Sequence, residues 1–229
     1  MSFGLALQNK DGQLMFSTDY TAFHFVGKFT AIDTGSFRCA ATFTCLGTPL
    51  VFMDGGSGNN CVAILEITNN GGNSWTAYVG GRTLANAGLA SIDIYVFGAP
   101  SAPSTSGYGG FAKNDIGVTT LNLEQRVLKI TGGHQTVLRT SSSTSLPPNE
   151  SLTFGSIPSD YIICSTGIGE IVSPAGPNGL LLGMAAYRFA STTIGFFATL
   201  IYAITPPGIS SYRIFESQYV LFADKSLYQ

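Results

Sequence analysis

One stretch of the sequence occurs twice, and it constrains the fold more than any other feature. Residues 3–27 read FGLALQNKDGQLMFSTDYTAFHFVG, and residues 108–132 read YGGFAKNDIGVTTLNLEQRVLKITG. The two stretches align without a gap at an offset of 105 residues, from position 3 to position 108. They share an aromatic residue before Gly, then Asn-x-x-Gly, then an apolar residue followed by Ser or Asn. A period near 100 residues is too long for a solenoid unit and predicts a duplicated small domain.

Each copy of this stretch has the pattern of a β-hairpin. In the first copy, apolar segments at 5–7 and 14–16 flank Asn9 and Gly12. An Asn side chain can bond nearby backbone, and Gly can take the positive φ that closes such a loop. Asn114 and Gly117 stand at the same places in the second copy, so both copies predict the same turn.

The rest of the chain favours an all-β fold. β-Branched and aromatic residues abound, turn residues recur about every 8–12 positions, and no window has an amphipathic helical pattern. The strongest local hairpin joins the alternating segments 61–68 and 74–79 through a turn that contains Asn70 and Gly71. The sequence therefore predicts two tandem β-sandwich-like domains that are related by internal duplication.

The composition break at 99–106, APSAPSTS, divides the chain. Its proline and serine content is typical of a semi-rigid linker. We expect an N-terminal β domain at 1–98, the linker at 99–106, a second β domain at 107–211 and a C-terminal strand or hairpin segment at 212–229. The nearly apolar run at 180–204 has the length of a membrane-spanning helix. Arg188 and two glycines interrupt that run, so we interpret it as two paired strands instead.

The charge content predicts an assembly and excludes a nucleic-acid partner. Only 10% of the residues are charged, and the net charge is −2. A monomer needs charge to cover its surface, so a chain this poor in charge is expected to share its surface with other subunits. A net charge of −2 leaves no basic footprint for nucleic acid. The start of the chain has no secretory pattern, which predicts synthesis in a cytoplasm.

No set of residues predicts catalysis, a cofactor or a metal site. His24 lies within an apolar strand pattern and is interpreted as a structural histidine. The four cysteines lack CxxC spacing and are interpreted as buried thiols rather than as zinc ligands or disulfides. Most carboxylates adjoin turns, where they usually cap backbone groups. A glycosidase pair among them stays open as an alternative, because sequence spacing cannot identify it.

Four residues are the candidates for an interface or a receptor contact. Trp75 and Tyr78 lie on one predicted strand and face opposite sides, so one of them is expected to face outward. Tyr187 and Arg188 form a second cluster. Aromatic residues and Arg are enriched at protein interfaces and at their energetic centres.

With these landmarks the chain resembles a family of tailed-bacteriophage virion proteins. Members open with Tyr-Gly-Leu-x-Val-x-Asn-x-x-Gly-x-x-x-Phe-Asp-Ser and often repeat that opening after a segment like Tyr-Tyr-Val-Phe-Pro. Here IYVF at 94–97 precedes the linker, and the matching positions of the openings are Phe3, Gly4, Leu5, Asn9, Gly12, Phe16 and Ser17, then Tyr108, Gly109, Asn114 and Gly117. The departures are Phe3 in place of Tyr, Thr18-Asp19 after Ser17, and Leu121-Asn122 in the second copy.

The resemblance implies a structural protein of the virion, without enzymatic activity, in the tail-tip, baseplate or tail-fibre region. Its expected partners are further copies of itself, as a trimer or a larger ring, and other phage tail proteins. A host surface glycan, a pilus or an outer-membrane receptor would be contacted during host attachment. Two alternatives remain: a carbohydrate-binding or carbohydrate-cleaving tailspike module, and a capsid decoration protein. The expected location is the tail of the virion, after synthesis in the host cytoplasm.

Overall fold

The computed structural model describes most of the first half of the chain and selected strands of the second half. The described residues are 6–8, 14–17, 21–35, 38–54, 60–83, 88–103, 110–135, 139–141, 150–153, 160–164, 169–172, 184–190, 193–199, 211–214 and 219–229. Their side chains are described in 21–35, 38–54, 62–81, 88–103, 110–133, 160–164 and 221–229.

Nearly all regular structure in the described residues is β-strand. Eight strands precede the linker: β1 (Ala6–Gln8), β2 (Leu14–Ser17), β3 (His24–Asp33), β4 (Arg38–Thr44), β5 (Leu50–Asp54), β6 (Asn60–Gly71), β7 (Ser74–Thr83) and β8 (Ser91–Gly98). Those that follow it are β9 (Phe111–Lys113), β10 (Thr119–Asn122), β11 (Ile130–Gln135), β12 (Arg139–Ser141), β13 (Glu150–Thr153), β14 (Tyr161–Cys164), β15 (Gly169–Val172), β16 (Met184–Ala190), β17 (Thr193–Thr199), β18 (Ser211–Ile214) and β19 (Tyr219–Asp224). A short 3₁₀ helix, Lys225–Tyr228, follows β19.

The prediction of an all-β, sandwich-like architecture is confirmed. Twelve strands form one large curled antiparallel sheet in the order β11-β19-β14-β5-β8-β3-β4-β7-β6-β16-β17-β13. A small sheet, β12-β18-β15, and two separate hairpins, β1-β2 and β9-β10, complete the described strands. Strands from both sides of the linker therefore pair within the same large sheet.

The two hairpins of the repeated stretch have the same strand bounds and the same pairing at the offset of 105. The pairs in the first hairpin are Ala6↔Ser17, Leu7↔Phe16 and Gln8↔Leu14. The pairs in the second hairpin are Phe111↔Asn122, Ala112↔Leu121 and Lys113↔Thr119. Each irregularity in register also falls at the same place, so the two hairpins agree residue by residue.

The turn of the second hairpin has the chemistry that its sequence suggests. The Asn114 side-chain oxygen accepts a hydrogen bond from the Val118 N–H at 2.9 Å. The Gly117 N–H donates to the Asn114 carbonyl at 3.0 Å, and Gly117 has a φ of 81°. This is the left-handed region, where a side chain would be strained. The corresponding residues Asn9 and Gly12 lie outside the described residues.

A three-stranded unit recurs in the large sheet. β8 lies between β3 and β5, and β19 lies between β11 and β14 in the same antiparallel arrangement. The pairing of β3 with β8 shifts register between Phe25 and Gly27, and that of β11 with β19 shifts between Ile130 and Gly132. These two bulges are again 105 residues apart.

The two three-stranded units close into a ring that we call the six-stranded ring. One contact joins β5 to β14, with Met53 opposite Ile163. The other joins the start of β3 to the residues just before β11, through a bridge between His24 and Val127. Two backbone hydrogen bonds of 2.7 Å, from the Phe25 N–H to the Arg126 carbonyl and from the Leu128 N–H to the Phe23 carbonyl, flank that bridge.

The interior of the six-stranded ring is filled by aromatic and aliphatic side chains from both halves of the chain. The fully buried members are Phe52, Tyr95, Phe97, Ile162, Ala223 and Tyr228. Phe97 and Tyr228 pack edge to face, with ring centroids 4.9 Å apart. Aromatic pairs in this geometry add to the stabilisation that burial alone gives.

A second hydrophobic core lies on the other face of β5 and β8. Val51 and Met53 of β5, with Ile94 and Val96 of β8, pack there against residues of β4, β6 and β7. β5 and β8 are thus buried on both faces. This explains why LVFM at 50–53 and IYVF at 94–97 are continuous apolar runs rather than alternating ones.

The short helix after β19 makes contacts with both three-stranded units of the ring. The Tyr228 hydroxyl accepts a hydrogen bond from the Lys129 N–H at 2.7 Å and donates to the Val127 carbonyl at 3.3 Å. The Lys225 ammonium contacts Asp54 at 3.1 Å and Asp160 at 2.5 Å. The helix therefore bridges β5, the start of β14 and the segment before β11.

The apolar run at 180–204 contains a β-hairpin. β16 pairs with β17 from Met184↔Thr199 to Ala190↔Thr193, so the prediction of paired strands is confirmed. Among the described residues there is no helix with the length and apolar character needed to span a bilayer.

Candidate interaction surfaces

Trp75 and Tyr78 take opposite faces of β7. Trp75 is half-buried against the second core, and its indole N–H donates to the Cys45 carbonyl at 3.2 Å. Tyr78 is the outward residue, and the Arg38 guanidinium lies over its ring, 3.6 Å from the ring centroid. Arg38 also donates to the Glu66 carboxylate at 2.9 Å. Tyr78 therefore lies within a polar cluster, with one ring face covered by Arg38.

Tyr187 and Arg188 lie in the middle of β16, between β6 and β17. Tyr187 is opposite Val62 and Phe196, and Arg188 is opposite Cys61 and Gly195. The side chains of both lie outside the described residues. As interface candidates, these two residues and the pair on β7 remain predictions.

The hairpin β9-β10 carries several of the exposed apolar residues, and sequence reasoning missed it. Four large apolar side chains within the hairpin β9-β10 and its ends are exposed: Phe111 (54%), Ile116 (77%), Val118 (51%) and Leu123 (62%). We call these four residues the hairpin patch. Their exposed areas sum to roughly 400–500 Å², a total comparable to the largest apolar patch on a typical monomer. Cross-strand pairing directs Phe111 and Leu123 to opposite faces of the hairpin. Such patches usually mark sites of interaction.

The repeat supplies an internal comparison for the hairpin patch. At the offset of 105, its four residues correspond to Ala6, Asp11, Gln13 and Thr18. The first hairpin thus has the same strand bounds and pairing with small or polar residues at those positions. The hairpin fold itself does not require the apolar set. Comparing the two copies position by position would have revealed the patch from the sequence.

The base of the same hairpin is fixed to the first half of the chain through His24. The His24 ring is fully buried, its Nδ1–H donates to the Ala22 carbonyl at 2.9 Å, and its Nε2 accepts from the Asn122 N–H at 3.1 Å. The Ala22 N–H donates to the Thr120 carbonyl at 2.9 Å. Burial lowers the pKa of His24 below its ordinary value, although the bond to Ala22 acts in the opposite direction. The interpretation of His24 as a structural histidine is confirmed.

A cluster of charges lies at the Asp54 end of β5. Asp54 and Asp93 are directly opposite each other on β5 and β8. Lys28 contacts the Asp93 carboxylate at 2.7 Å, and Lys225 contacts Asp54. Burial raises the pKa of Asp93, but hydrogen bonds from Lys28 and Thr30 outweigh burial and leave that pKa lowered. Asp93 is therefore held ionised, whereas a general acid in a glycosidase needs a raised pKa.

The cysteines with described side chains are free thiols. Cys39 and Cys45 are buried and Cys164 is half-buried. Burial raises the pKa of Cys39 to about 11 and that of Cys164 to about 12. A thiol with so high a pKa is a poor nucleophile at neutral pH. Among the described residues, no group of three or more His, Cys, Asp or Glu residues is placed to hold a metal ion.

Comparison with known proteins gives no relative. No family model, no curated protein and no solved structure matches this chain.

Proposed function

We propose that this chain is a structural protein of a tailed-phage virion, located in the tail-tip, baseplate or tail-fibre region. Two supports come from the sequence: the resemblance of both repeated openings to virion proteins of that region, and the scarcity of charge. The observation that carries the proposal is the agreement of the two hairpins in strand bounds, pairing and register irregularity at the offset of 105. The resemblance to the phage proteins depends on the repetition of this hairpin sequence.

The domain organisation belongs to the same proposal. The matching order of β3-β8-β5 and β11-β19-β14 supports two duplicated β units that share one sheet. We extend the second unit beyond 211 to include β19, because β19 takes the place that β8 has in the first unit. Residues 1–98 and 107–224 would then be the two copies, joined by the linker at 99–106.

The role proposed for the chain is mechanical rather than catalytic. Several copies would join one another and other tail proteins, and an exposed surface would face the host during attachment. A host glycan or an outer-membrane receptor is the partner expected for that surface. Synthesis in the host cytoplasm would precede incorporation into the virion.

Labelling of intact particles tests the proposed location. An antibody against the purified chain is applied to particles released by cells that carry the gene in its native setting, and gold label is counted by electron microscopy. Label at the free end of the tail supports the proposal. Label over the capsid would instead support a decoration protein, and particles without label, confirmed by mass spectrometry of their proteins, would refute a virion role.

A further inference from the structure

We propose that the hairpin patch on β9-β10 is a self-association surface, which packs against the same hairpin of a second copy of this chain. The proposal rests on the part of the proposed function that concerns assembly from several copies. It does not depend on where in a particle the chain is located.

The two hairpins differ in chemistry at corresponding positions. Both have the same backbone pairing, but Ile116, Val118 and Leu123 replace Asp11, Gln13 and Thr18. Leaving apolar surface in water forgoes about 25 cal/mol per Å² of the stabilisation that burial would give. The chain carries a version of this hairpin with polar residues at these positions, so the apolar version points to a partner that covers it.

The patch residues lie at both ends of the hairpin. Ile116 and Val118 lie at the turn of the hairpin, and Ile116 is the most exposed residue of the patch. Phe111 and Leu123 lie at its base. Among the described strands, β9 pairs with β10 alone. The base of the hairpin is fixed by the buried His24 contact to Asn122, which holds the patch in place on the rest of the molecule.

The two opposite charges at the tip of the hairpin favour a second copy of this chain as the partner. Lys113 and Asp115, both exposed, stand on either side of Asn114 at the tip. Neither has an ion pair among the described residues; Lys113 lies over the Phe111 ring, 5.6 Å from its centroid. A surface with one charge of each sign is self-complementary about a rotation axis, because Lys113 of one copy can meet Asp115 of the next. A strongly charged partner would require one sign to dominate.

The area is sufficient for an association of this kind. Specific interfaces bury about 800 Å² on each partner. The four apolar side chains together expose roughly half of that area, so a partner that contacts both faces of the hairpin and the surrounding polar residues would reach it. Hairpins that meet around a rotation axis could form either a dimer or a trimer through the same surface.

The test uses the full chain and replaces the patch with residues that the first hairpin carries. Light scattering is recorded for the wild type and for the triple variant Ile116→Asp, Val118→Gln, Leu123→Thr. We expect the wild type to have a multiple of the 24.1 kDa chain mass. The triple variant should have the monomer mass, with a dissociation constant raised by about two orders of magnitude or more. Ile32→Thr, at an exposed position on β3, is the matched control and should leave the mass unchanged.

A cross-linking measurement keeps the test decisive if the triple variant fails to fold. A cysteine at the patch, Ile116→Cys, should give a dimer band with a short bis-maleimide, whereas Ile32→Cys should not. The native thiols described in the structure are buried or half-buried, so they give little background. A monomeric wild type, an unchanged mass in the folded triple variant, or equal cross-linking at the two positions would overturn the proposal. Failure of the particle labelling would leave this result standing, so the two proposals can be separated.

Discussion

Protonation of His24 should destabilise the contact between the two halves of the chain, and the effect can be worked out from its hydrogen bonds. The Ala22 carbonyl can only accept, so Nδ1 carries the proton, and the Asn122 N–H can only donate, so Nε2 carries the lone pair. The ring is fully buried. A second proton would face the Asn122 N–H and would place a charge in an apolar setting. The folded state therefore holds His24 neutral, with a pKa below its ordinary value of 6.5.

The sign of the pH dependence follows from the lowered pKa. Above pH 6.5 His24 is neutral in both the folded and the unfolded chain, so its contribution to the free energy of unfolding is constant. Below pH 6.5 the unfolded chain binds a proton that the folded chain excludes. The free energy of unfolding should then decrease by up to about 1.4 kcal/mol for each pH unit, until the pH reaches the pKa of the folded state.

Urea unfolding followed by tryptophan fluorescence measures this loss, because Trp75 is the single tryptophan of the chain. The free energy of unfolding is determined at several pH values between 7.5 and 5.5 for the wild type, His24→Gln and His134→Gln. This range avoids most carboxylate titration. The wild type and His134→Gln should lose stability as the pH falls, and His24→Gln should lose much less while starting from a lower value. Equal pH slopes for the wild type and His24→Gln would refute the reasoning.

Four further substitutions, at three residues, test the contacts that hold the six-stranded ring. Tyr228→Phe removes the hydroxyl that accepts from the Lys129 N–H and should lower the free energy of unfolding by about 1 kcal/mol. Tyr228→Ala also removes the buried ring and should lower it by about 3–5 kcal/mol. Equal losses for the two variants in urea unfolding would contradict the packing of the ring. Lys225→Met leaves the two aspartate partners without their cation and should destabilise by about 1–3 kcal/mol at low salt, and a neutral effect would count against the ion pairs. Gly98→Ala would bring a Cβ to within 2.2 Å of the Cys45 sulfur, so a loss of about 1–3 kcal/mol is expected, and an unchanged melting temperature would rule out that close approach.

Local features of this fold could be predicted from the sequence, because they depend on neighbouring residues. The hairpin between β6 and β7 follows from alternating residues and a Gly-containing turn, in which Gly71 has a φ of 114°. The side chain of Asn69, one position before the predicted Asn70, bonds the Gly71 N–H at 2.7 Å. The Asn70 side chain instead donates to the Thr76 hydroxyl at 2.8 Å. Element type was thus predictable to within a residue or two.

The pairing of distant strands could not be predicted. Nothing in LVFM at 50–53 or YIIC at 161–164 indicates that these strands are neighbours, because both are apolar runs that any buried strand would accept. Alternation likewise placed Trp75 and Tyr78 on opposite faces without indicating which face is the core. The hairpin patch was missed for a related reason, since exposed apolar residues in or next to a strand resemble core residues when a single copy is considered.

The order of strands around the six-stranded ring has a kinetic consequence. Met53 of β5 meets Ile163 of β14, and β14 in turn needs β19, at Tyr219–Asp224, as its other neighbour. Contacts between residues so far apart in sequence make folding slow, because a long loop must be closed before the contact stabilises it. While a ribosome is still making the second half, Phe52, Tyr95 and Phe97 lack the part of their cover that Ile162, Ala223 and Tyr228 later supply. Nascent chains should therefore expose an aggregation-prone aromatic surface until β19 has been synthesised. The yield of native protein should depend on how well aggregation is suppressed during that interval.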